Sequence, residues 1–427
     1  MQEQDDTLSV NLTLHIVKDL IQDNQESLDQ KSASDMTDPL PPKQDTNASN
    51  PNRDVQRRKP EPLLNHSNIS HGLQDINPRG IRTENFIGFT QVPVGFAGPL
   101  TIHGENQQGK FFAPLATTEA TLVTSCSRGC KAFEQIGVIH AVALREGMSR
   151  TPVFRFDAVE DAIAFYRLLP SLEASLRLDA KRSSRFARLL TVTPHIFGKT
   201  VHVRLNYSCG DAAGQNMVTI ATQAACSALL DKRGQELKVT GFFIEGQLVS
   251  DKKFAYINVF EPRGVQVLAW GTITDAVCRS VLGQSAARIH HGLMDAQEGG
   301  IRAGMVGSNI NVTNVMAAMF IATGQDAASV FESGWSQLSS SYDADRDELT
   351  LSVFIPSMIV GSIGGGTVYP IQREALEALG CVGRGKKWAL AETIAAFALA
   401  LDISTTSAIC ENTFTHGHAR LARKSKL

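Results

Sequence analysis

Apolar and polar positions divide the chain into a polar N-terminal stretch and a longer patterned region. Residues 22–62 are rich in Asp, Gln, Ser, Asn, Lys and Pro, with almost no aromatic or β-branched residues. Such a stretch cannot bury enough apolar surface to offset the entropy lost on ordering. We therefore predict a disordered tail over residues 1–75, with one short amphipathic helix at 8–20.

From residue 80 onward, apolar residues recur with the spacing of strands and helices. The pattern predicts helices at 118–133, 159–169, 215–230, 314–321, 327–338, 371–379 and 386–403. It predicts strands at 153–156, 189–193, 199–205, 254–260 and 349–355. Thr117 or Thr118 is expected to cap the first helix, because a hydroxyl oxygen accepts from the free amides of the first turn. Interleaved strands and helices indicate an α/β or α+β fold.

The balance of charge and the cysteine content exclude several classes of protein. The formal net charge of −2, from 41 basic and 43 acidic residues, gives no whole-chain attraction to nucleic acid or to an anionic membrane. The seven cysteines are too few and too irregularly spaced for a disulfide framework, and their odd number leaves at least one thiol free. A reducing compartment, the cytoplasm, fits this composition best.

Generic signatures of membrane, nucleotide and metal binding are missing. The longest apolar stretch, 388–410, contains Glu392 and Asp402, and either would cost about 3 kcal/mol at a bilayer centre. We predict no membrane span and, without a basic segment before an apolar one at the start, no secretory signal. No strand leads into G-x-G-x-x-G, and P-loop, zincin and paired C-x-x-C patterns are absent, so no metal site is predicted.

Short blocks that combine glycine with a carboxylate or a base recur along the patterned region, and each is a weak signal alone. The blocks are Glu84-Asn85-Phe86-Ile87-Gly88, Val94-Gly95-Phe96-Ala97-Gly98-Pro99-Leu100, Thr117-Thr118-Glu119, Arg128-Gly129-Cys130, Ser184-Arg185-Phe186-Ala187-Arg188-Leu189, Gly210-Asp211-Ala212-Ala213-Gly214-Gln215-Asn216-Met217, Asp251-Lys252-Lys253, Gly324-Gln325-Asp326-Ala327 and Gly364-Gly365-Gly366-Thr367. Together and in this order they closely resemble the 3-hydroxy-3-methylglutaryl-CoA (HMG-CoA) reductase family. The resemblance covers about residues 80–425.

The resemblance implies an α+β fold with two domains. A large substrate-binding domain would take residues 76–150 and 255–427, and a small inserted ferredoxin-like cofactor domain would take residues 151–254. The resemblance also implies the NADPH-dependent activity found in eukaryotes and archaea, in which two NADPH reduce HMG-CoA to mevalonate and CoA. It further implies a homodimer or homotetramer with active sites between subunits.

The reaction needs a cation at the thioester oxygen, a proton donor for that oxygen and an acid for the departing thiolate. By resemblance, Lys252 is the cation and Glu119 the proton donor. Asp326 is expected between them, where it would tune both while also capping a helix. Glu119 at a helix start is expected to be partly shielded, because burial raises the pKa of a carboxyl that must donate near neutral pH.

The thiolate donor is ambiguous in the sequence. His418 is our choice, because the pKa of an imidazole lies near the working pH. The family block G-H-L-V-x-x-H has its catalytic histidine in the last position. Matching it to Gly417-His418 places Arg423 there, so a shifted pairing is needed for His418, and His416 is a close rival.

Other residues are assigned by resemblance to binding. Arg185 suits a 2′-phosphate because guanidinium binds phosphate in a fork. Arg150 would bind the hydroxymethylglutaryl carboxylate together with Lys253, and Arg128 the CoA phosphates. The full cofactor set is Ser184, Arg185, Phe186, Asp211, Ala213, Asn216 and Arg423, and the substrate set is Arg128, Arg150, Lys253 and Asn314.

The sequence also departs from the family pattern. Glu245 stands where a substrate-binding serine is usual, and its carboxylate could repel the carboxylate of the substrate. Ile359 replaces a glutamate, and the stretches 297–302 and 329–333 are unusual. Two alternatives therefore stay open, a reductase of a different acyl-CoA and a weakly active or non-catalytic protein that binds inhibitors.

Overall fold

The computed structural model describes Ile81 and residues 83–411. The predicted tail over 1–75, the helix at 8–20 and the C-terminal candidates His416, His418 and Arg423 lie outside these residues. In the described part, the strands are β1 Val94–Gly104, β2 Gln108–Ala116, β3 Ile139–Arg150, β4 Val153–Arg155, β5 Arg188–Phe197, β6 Thr200–Ser208, β7 Gly241–Phe243, β8 Gly264–Thr274, β9 Gln337–Asp343 and β10 Glu348–Met358.

Helices alternate with these strands. They are α1 Leu122–Glu134, α2 Val159–Ser183, α3 Gln215–Arg233, α4 Ile257–Phe260, α5 Asp275–Val277, α6 Ala286–Arg302, α7 Val312–Thr323, α8 Val330–Ser333, α9 Pro370–Ala378 and α10 Lys387–Cys410. A π-helical turn over Cys278–Leu282 follows α5, and 3₁₀ turns lie at Ala327–Ser329 and Gly365–Val368.

The strands pair in the order β7-β4-β6-β3-β8-β10-β9, with β5 on β6, β2 on β1, and β1 on β3. Only the pairing of β1 with β3 is parallel among these strands. Parallel βαβ units would make an α/β fold, so the antiparallel sheet confirms the α+β class.

Two hydrophobic cores lie along this sheet. The larger core surrounds α10 and takes in α1, α7, β8 and β10. The second core packs α2 and α3 against β5 and β6. Its elements run strand, helix, strand, strand, helix, strand from β4 to β7, and its strands are ordered β7-β4-β6-β5. β3 belongs to both regions, because Ile139–Ala143 lie in the larger core and Met148–Arg150 pair with β6.

The helix α10 is the centre of the larger core. By length and composition it could cross a membrane, with mean hydropathy of 1.6, but 83% of that window is buried inside the fold. Its two carboxylates are buried and hydrogen-bonded, as burial of a charge requires. Glu392 accepts from the backbone amides of Asn106, Gln107 and Ala143. Asp402 accepts from the amides of Ile310 and Asn311.

The helix predicted at 159–169 continues to Ser183, and three further predicted elements are wrong or misplaced. The first helix begins at Leu122 rather than at 118, because Thr117 Oγ1 accepts from the amide of Glu119 and closes a turn instead of a cap. The strand predicted at 254–260 is instead a loop that leads into α4. The buried side chain of Asn258 holds it there by donating to Ser250 Oγ. The predicted helix at 327–338 stops at Ser333, and β9 begins at Gln337 because its backbone pairs with β10.

Candidate functional site

The Asp251-Lys252-Lys253 turn has an unusual backbone. Lys252 has φ of 59°, and Ser250 has φ of 60°, in the left-handed region that non-glycine residues rarely adopt. The amide of Lys252 donates to Glu332 Oε2 at 3.0 Å, and the amide of Lys253 donates to the carbonyl of Ser250 at 2.6 Å. These bonds hold the turn in a conformation that costs free energy on its own.

Lys252 reaches Asp326 at the tip of this turn. The Nζ atom of Lys252 lies 3.0 Å from Asp326 Oδ2, and both side chains are partly exposed. Asp326 also caps the 3₁₀ turn that follows it, accepting from the amide of Ala328 and from Ser329 Oγ, both at 3.1 Å. Two of the three residues assigned to catalysis within the described chain are therefore in contact, and Asp326 has the capping role as well.

Arg150 ends β3 beside the same turn. Its Nε donates to Thr219 Oγ1 at 2.7 Å, and its Nη1 lies 2.7 Å from Asp251 Oδ2 and 3.4 Å from Glu245 Oε2. Burial raises the pKa of Asp251, but the guanidinium groups of Arg263 and Arg150 outweigh it and hold that pKa below its usual value. The side chain of Arg150 is only 9% exposed, so these partners fill much of its surroundings.

A buried ion pair, Arg263–Glu332, extends the charged contacts of Arg150 and Asp251. Arg263 Nη2 donates to Asp251 Oδ1 at 2.9 Å, and Arg263 Nη1 donates to Glu332 Oε2 at 2.5 Å. Both side chains of the Arg263–Glu332 pair are fully buried. Burial raises the pKa of Glu332 to about 7, against the opposing effect of Arg263. A continuous charge network thus runs from Glu245 through Arg150, Asp251 and Arg263 to Glu332, whose carboxylate binds the backbone of Lys252.

Sequence reasoning assigned no role to Arg263 or Glu332. Arg263 lies outside every family block, and nothing in its neighbourhood marks it. Glu332 belongs to the stretch 329–333 that departs from the family pattern, so the departure itself was the signal. Ile359, another departure, is 1% exposed and packs in the second core, with its amide donating to Ser333 Oγ at 3.0 Å.

Glu119 lies at a different place from the Lys252–Asp326 pair. Its Oε2 accepts from Asn314 Nδ2 at 2.6 Å, at the start of α7, whereas Asp326 follows the end of α7. The ten residues of helix between these positions span about 15 Å. Glu119 is also exposed rather than shielded. The expectation that Asp326 lies between Glu119 and Lys252 is therefore not met within one chain, because α7 separates them.

The expected cofactor residues lie in two loops. Between α2 and β5, Ser184 Oγ accepts from the amides of Phe186 and Ala187 at 3.2 Å. In the same loop the guanidinium carbon of Arg185 lies 4.9 Å from the ring centre of Phe186. Both Arg185 and Phe186 are exposed, so this loop presents a cation on an aromatic face.

The second loop, residues 208–216, contacts the glycine-containing loop 361–367. Gly214 has φ of 95° and precedes α3, whose first-turn amides suit an anion. The amide of Ser362 donates to the carbonyl of Asp211 at 2.9 Å. A Cβ on Gly361 would lie 2.6 Å from the amide nitrogen of Ala213, so only glycine fits. Ala213 therefore lies where loops 208–216 and 361–367 meet, and Asn216 follows it in the first turn of α3.

Gln325 and Gln215 complete this junction. The Oε1 atom of Gln325 accepts from the amide of Gly361 at 2.8 Å. The Nε2 atom of Gln215 donates to Ser329 Oγ at 3.0 Å. The expected cofactor loop thus packs directly beside the 3₁₀ turn that Asp326 caps.

Two further residues expected to bind substrate, Lys253 and Arg128, lie in different places. Lys253 Nζ donates to Gln247 Oε1 at 3.0 Å, next to Glu245. Arg128 lies on α1, where its Nε donates to Ser404 Oγ of α10 at 3.0 Å, and burial lowers its pKa. Its guanidinium is engaged with a helix of the larger core, away from the turn that holds Lys252.

All seven cysteines lie among the described residues, and none forms a disulfide. Within residues 83–411, no group of three or more His, Cys, Asp or Glu side chains could hold a metal ion.

Comparisons with known proteins agree on one family. A family model described as Hydroxymethylglutaryl-coenzyme A reductase matches residues 61–423. The chain is 38% identical over 348 residues to 3-hydroxy-3-methylglutaryl-coenzyme A reductase of Haloferax volcanii, covering 80% of this chain and 84% of that one. It is 37% identical over 363 residues to the reductase of Aeropyrum pernix, covering 82% and 83%. A solved class II reductase from Streptococcus pneumoniae bound to NADPH shares the fold, with TM-score 0.61 and 20% identity over 77% of this chain and 87% of that chain.

Proposed function

The chain belongs to the hydroxymethylglutaryl-coenzyme A reductase family, and we propose on this basis that it reduces HMG-CoA to mevalonate and CoA with two NADPH. The observation that carries the proposal is the 3.0 Å contact between Lys252 Nζ and Asp326 Oδ2. It places a cation and a carboxylate, both partly exposed, on a backbone turn that the buried Arg263–Glu332 pair fixes.

Lys252 would stabilise the negative charge that develops on the thioester oxygen. A cation fixed before reaction stabilises such charge more than a mobile one, because no reorganisation is needed during the step. Asp326 would keep the ammonium group in place through its ion pair, and its own position is fixed by the bonds from Ala328 and Ser329. Each of the two NADPH, when bound, supplies one hydride.

Glu119 would donate the proton to the same oxygen, with a second copy of the chain completing the site. Two observations support this part of the proposal. Glu119 and its partner Asn314 lie at the opposite end of α7 from Asp326, and Glu119 is exposed. A homodimer or homotetramer would join the Glu119 end of one chain to the Lys252 end of another and shield both. His418 stays our proposed donor to the thiolate.

The substrate carboxylate would be bound by Arg150 and Lys253, which lie on the two sides of Glu245 and Gln247. Asn314 would bind the substrate beside Glu119. Arg128 stays a proposed ligand of the CoA phosphates, although it now donates to Ser404.

Residues 151–254 would form the cofactor domain, inserted between residues 76–150 and 255–427. The strand order β7-β4-β6-β5, antiparallel throughout, is the order 4-1-3-2 of a ferredoxin-like unit, which supports this assignment. Arg185 would bind the 2′-phosphate, with Ser184 and Phe186 beside it, and the amides near Asn216 would face the pyrophosphate. The free thiols support a cytoplasmic location.

The test is an assay of the purified chain with HMG-CoA, following the loss of NADPH absorbance and the appearance of free thiol. We expect two NADPH oxidised for each CoA released and a much slower reaction with NADH. Absence of NADPH oxidation with HMG-CoA, in a preparation that is folded and oligomeric, would refute the proposed function.

A further inference from the structure

The contact between Glu245 and Arg150 puts a carboxylate of the chain where the proposed function needs a carboxylate of the substrate. Arg150 Nη1 lies between Asp251 Oδ2 at 2.7 Å and Glu245 Oε2 at 3.4 Å. Resting on the proposed function, we propose that Glu245 is a specificity-determining residue, which competes with the terminal carboxylate of HMG-CoA for Arg150 and must move away when the substrate binds.

The two carboxylates on Arg150 are not equivalent. The contact with Asp251 has the length of a charge-assisted hydrogen bond, and the contact with Glu245 is longer than the optimum. Asp251 is also held by Arg263 through its other oxygen, at 2.9 Å. Glu245 is therefore the partner that an incoming carboxylate displaces.

The local backbone keeps Glu245 close to Arg150 in the absence of a ligand. Its Oε1 accepts from the amide of Gln247 at 2.7 Å, so the side chain is folded back over its own turn. Its side chain is only 18% exposed, where water screens charge less than at an open surface. The Glu245 carboxylate is thus held in one position beside Arg150 before any ligand binds.

The carboxylates around Arg150 also disfavour the binding of a substrate carboxylate. Arg150 is shared between the carboxylates of Glu245 and Asp251, and Asp251 also pairs with Arg263, so the Glu245 carboxylate takes up positive charge that a substrate carboxylate would otherwise meet. Lys253 donates to Gln247, two residues after Glu245, so it is a further cation on this side of Arg150. Removal of the Glu245 charge should therefore favour substrates that carry a terminal carboxylate over those that lack one.

The experiment compares two substrates across three proteins. HMG-CoA carries the terminal carboxylate, and 3-hydroxy-3-methylbutyryl-CoA has the same branched skeleton without it. We expect Glu245→Gln and Glu245→Ser to lower KM for HMG-CoA about tenfold, with kcat changed less than about twofold. KM for the truncated substrate should stay within about twofold of the wild-type value.

A matched control is Glu236→Gln, which removes a carboxylate that pairs with Arg233 on the surface. It should leave KM for both substrates unchanged. An unchanged or higher KM for HMG-CoA in the Glu245 variants, or an equal fall of KM for both substrates, would overturn the inference.

Calorimetric binding of free 3-hydroxy-3-methylglutarate separates this inference from the proposed function. Tighter binding by Glu245→Gln than by wild type supports the competition even if no protein oxidises NADPH, in which case only the proposed function fails. Equal affinity of the two proteins for the free acid would overturn the inference even in an active enzyme.

Discussion

The backbone amide of Lys252 donates to Glu332 Oε2 at 3.0 Å, so the residue proposed to stabilise the oxyanion is positioned by a buried carboxylate. Glu332 lies only six positions after Asp326, which holds the other end of Lys252. The short segment 326–332 therefore fixes both the backbone and the ammonium group of one lysine. A residue that departs from the family pattern here has a structural role at the site.

The Arg263–Glu332 pair should dominate the stability of this region. Glu332→Leu leaves a buried guanidinium with Asp251 alone, and we expect a loss of about 3–5 kcal/mol in the free energy of unfolding. The double variant Arg263→Met, Glu332→Leu should recover much of that loss, because two apolar side chains need no partner. Urea denaturation gives the free energy of unfolding of the wild type, the single variant and the double variant.

The control for these two variants is Glu298→Leu, which breaks an exposed ion pair with Arg302 and should change the free energy of unfolding little. A Glu332→Leu protein as stable as wild type would contradict the prediction.

Replacement of the catalytic cation should affect turnover more than binding. We expect Lys252→Ala to lower kcat about 10²–10³-fold, the usual effect of removing a preorganised oxyanion donor. Asp326→Asn keeps a capping oxygen but loses the charge, so kcat should fall and its pH profile should shift. The measurement is steady-state NADPH oxidation across pH.

Lys238→Ala is the matched control, because Lys238 also has positive φ and also pairs with an aspartate, Asp161 at 2.8 Å. Equal losses of kcat in Lys252→Ala and Lys238→Ala would indicate a general folding effect instead of catalysis.

The contact between loop 361–367 and the expected cofactor loop 208–216 predicts that a substitution at Gly361 weakens binding of NADPH. In Gly361→Ala the new Cβ would lie 2.6 Å from the amide nitrogen of Ala213, so one loop must shift. We expect KM for NADPH to rise about tenfold or more, since a displacement of about 1 Å can cost 10²-fold. In the control Gly299→Ala, the Cβ has no neighbour within 4 Å, so KM should not change. An unaltered KM in Gly361→Ala would contradict the placement of the cofactor beside this junction.

The buried carboxyl of Asp402 should make stability depend on pH. Burial raises its pKa from 3.8 to about 7, against the two amides that it accepts from. A raised pKa in the folded state gives stability that is complete below pH 3.8, declines as the pH rises from there through about 7, and changes no further above it. The loss should amount to about 4 kcal/mol.

Asp402→Asn is neutral at every pH and should lack this part of the decline. Denaturation at several pH values between 3.8 and 7 compares the slopes of the free energy of unfolding of the two proteins. Identical slopes would show that Asp402 does not titrate in this range.

Local patterns predicted some of the helices and strands that bury one regular face, such as α3 and β10, but missed others, such as α6 and β8. They failed where a single polar side chain sets the backbone, as Asn258 does before α4. They also ended α2 too early, because Pro170 lies inside a helix that runs to Ser183. The ion pair of Lys252 with Asp326 joins two family blocks, so the resemblance indicated it. The Arg263–Glu332 pair joins residues 69 positions apart with no motif between them, and only the fold brings them together.

The strand β3 has a consequence for how the molecule unfolds. Its first half lies in the larger core, and its last three residues pair with Tyr207, Asn206 and Leu205 of β6. A fragment limited to residues 151–254 would lose this neighbour and expose the backbone of β6 at Leu205–Tyr207 as a sheet edge. Excision of the second core should therefore yield an aggregation-prone fragment. In the whole chain the two cores are expected to melt as one cooperative unit, because neither keeps its sheet intact without the other.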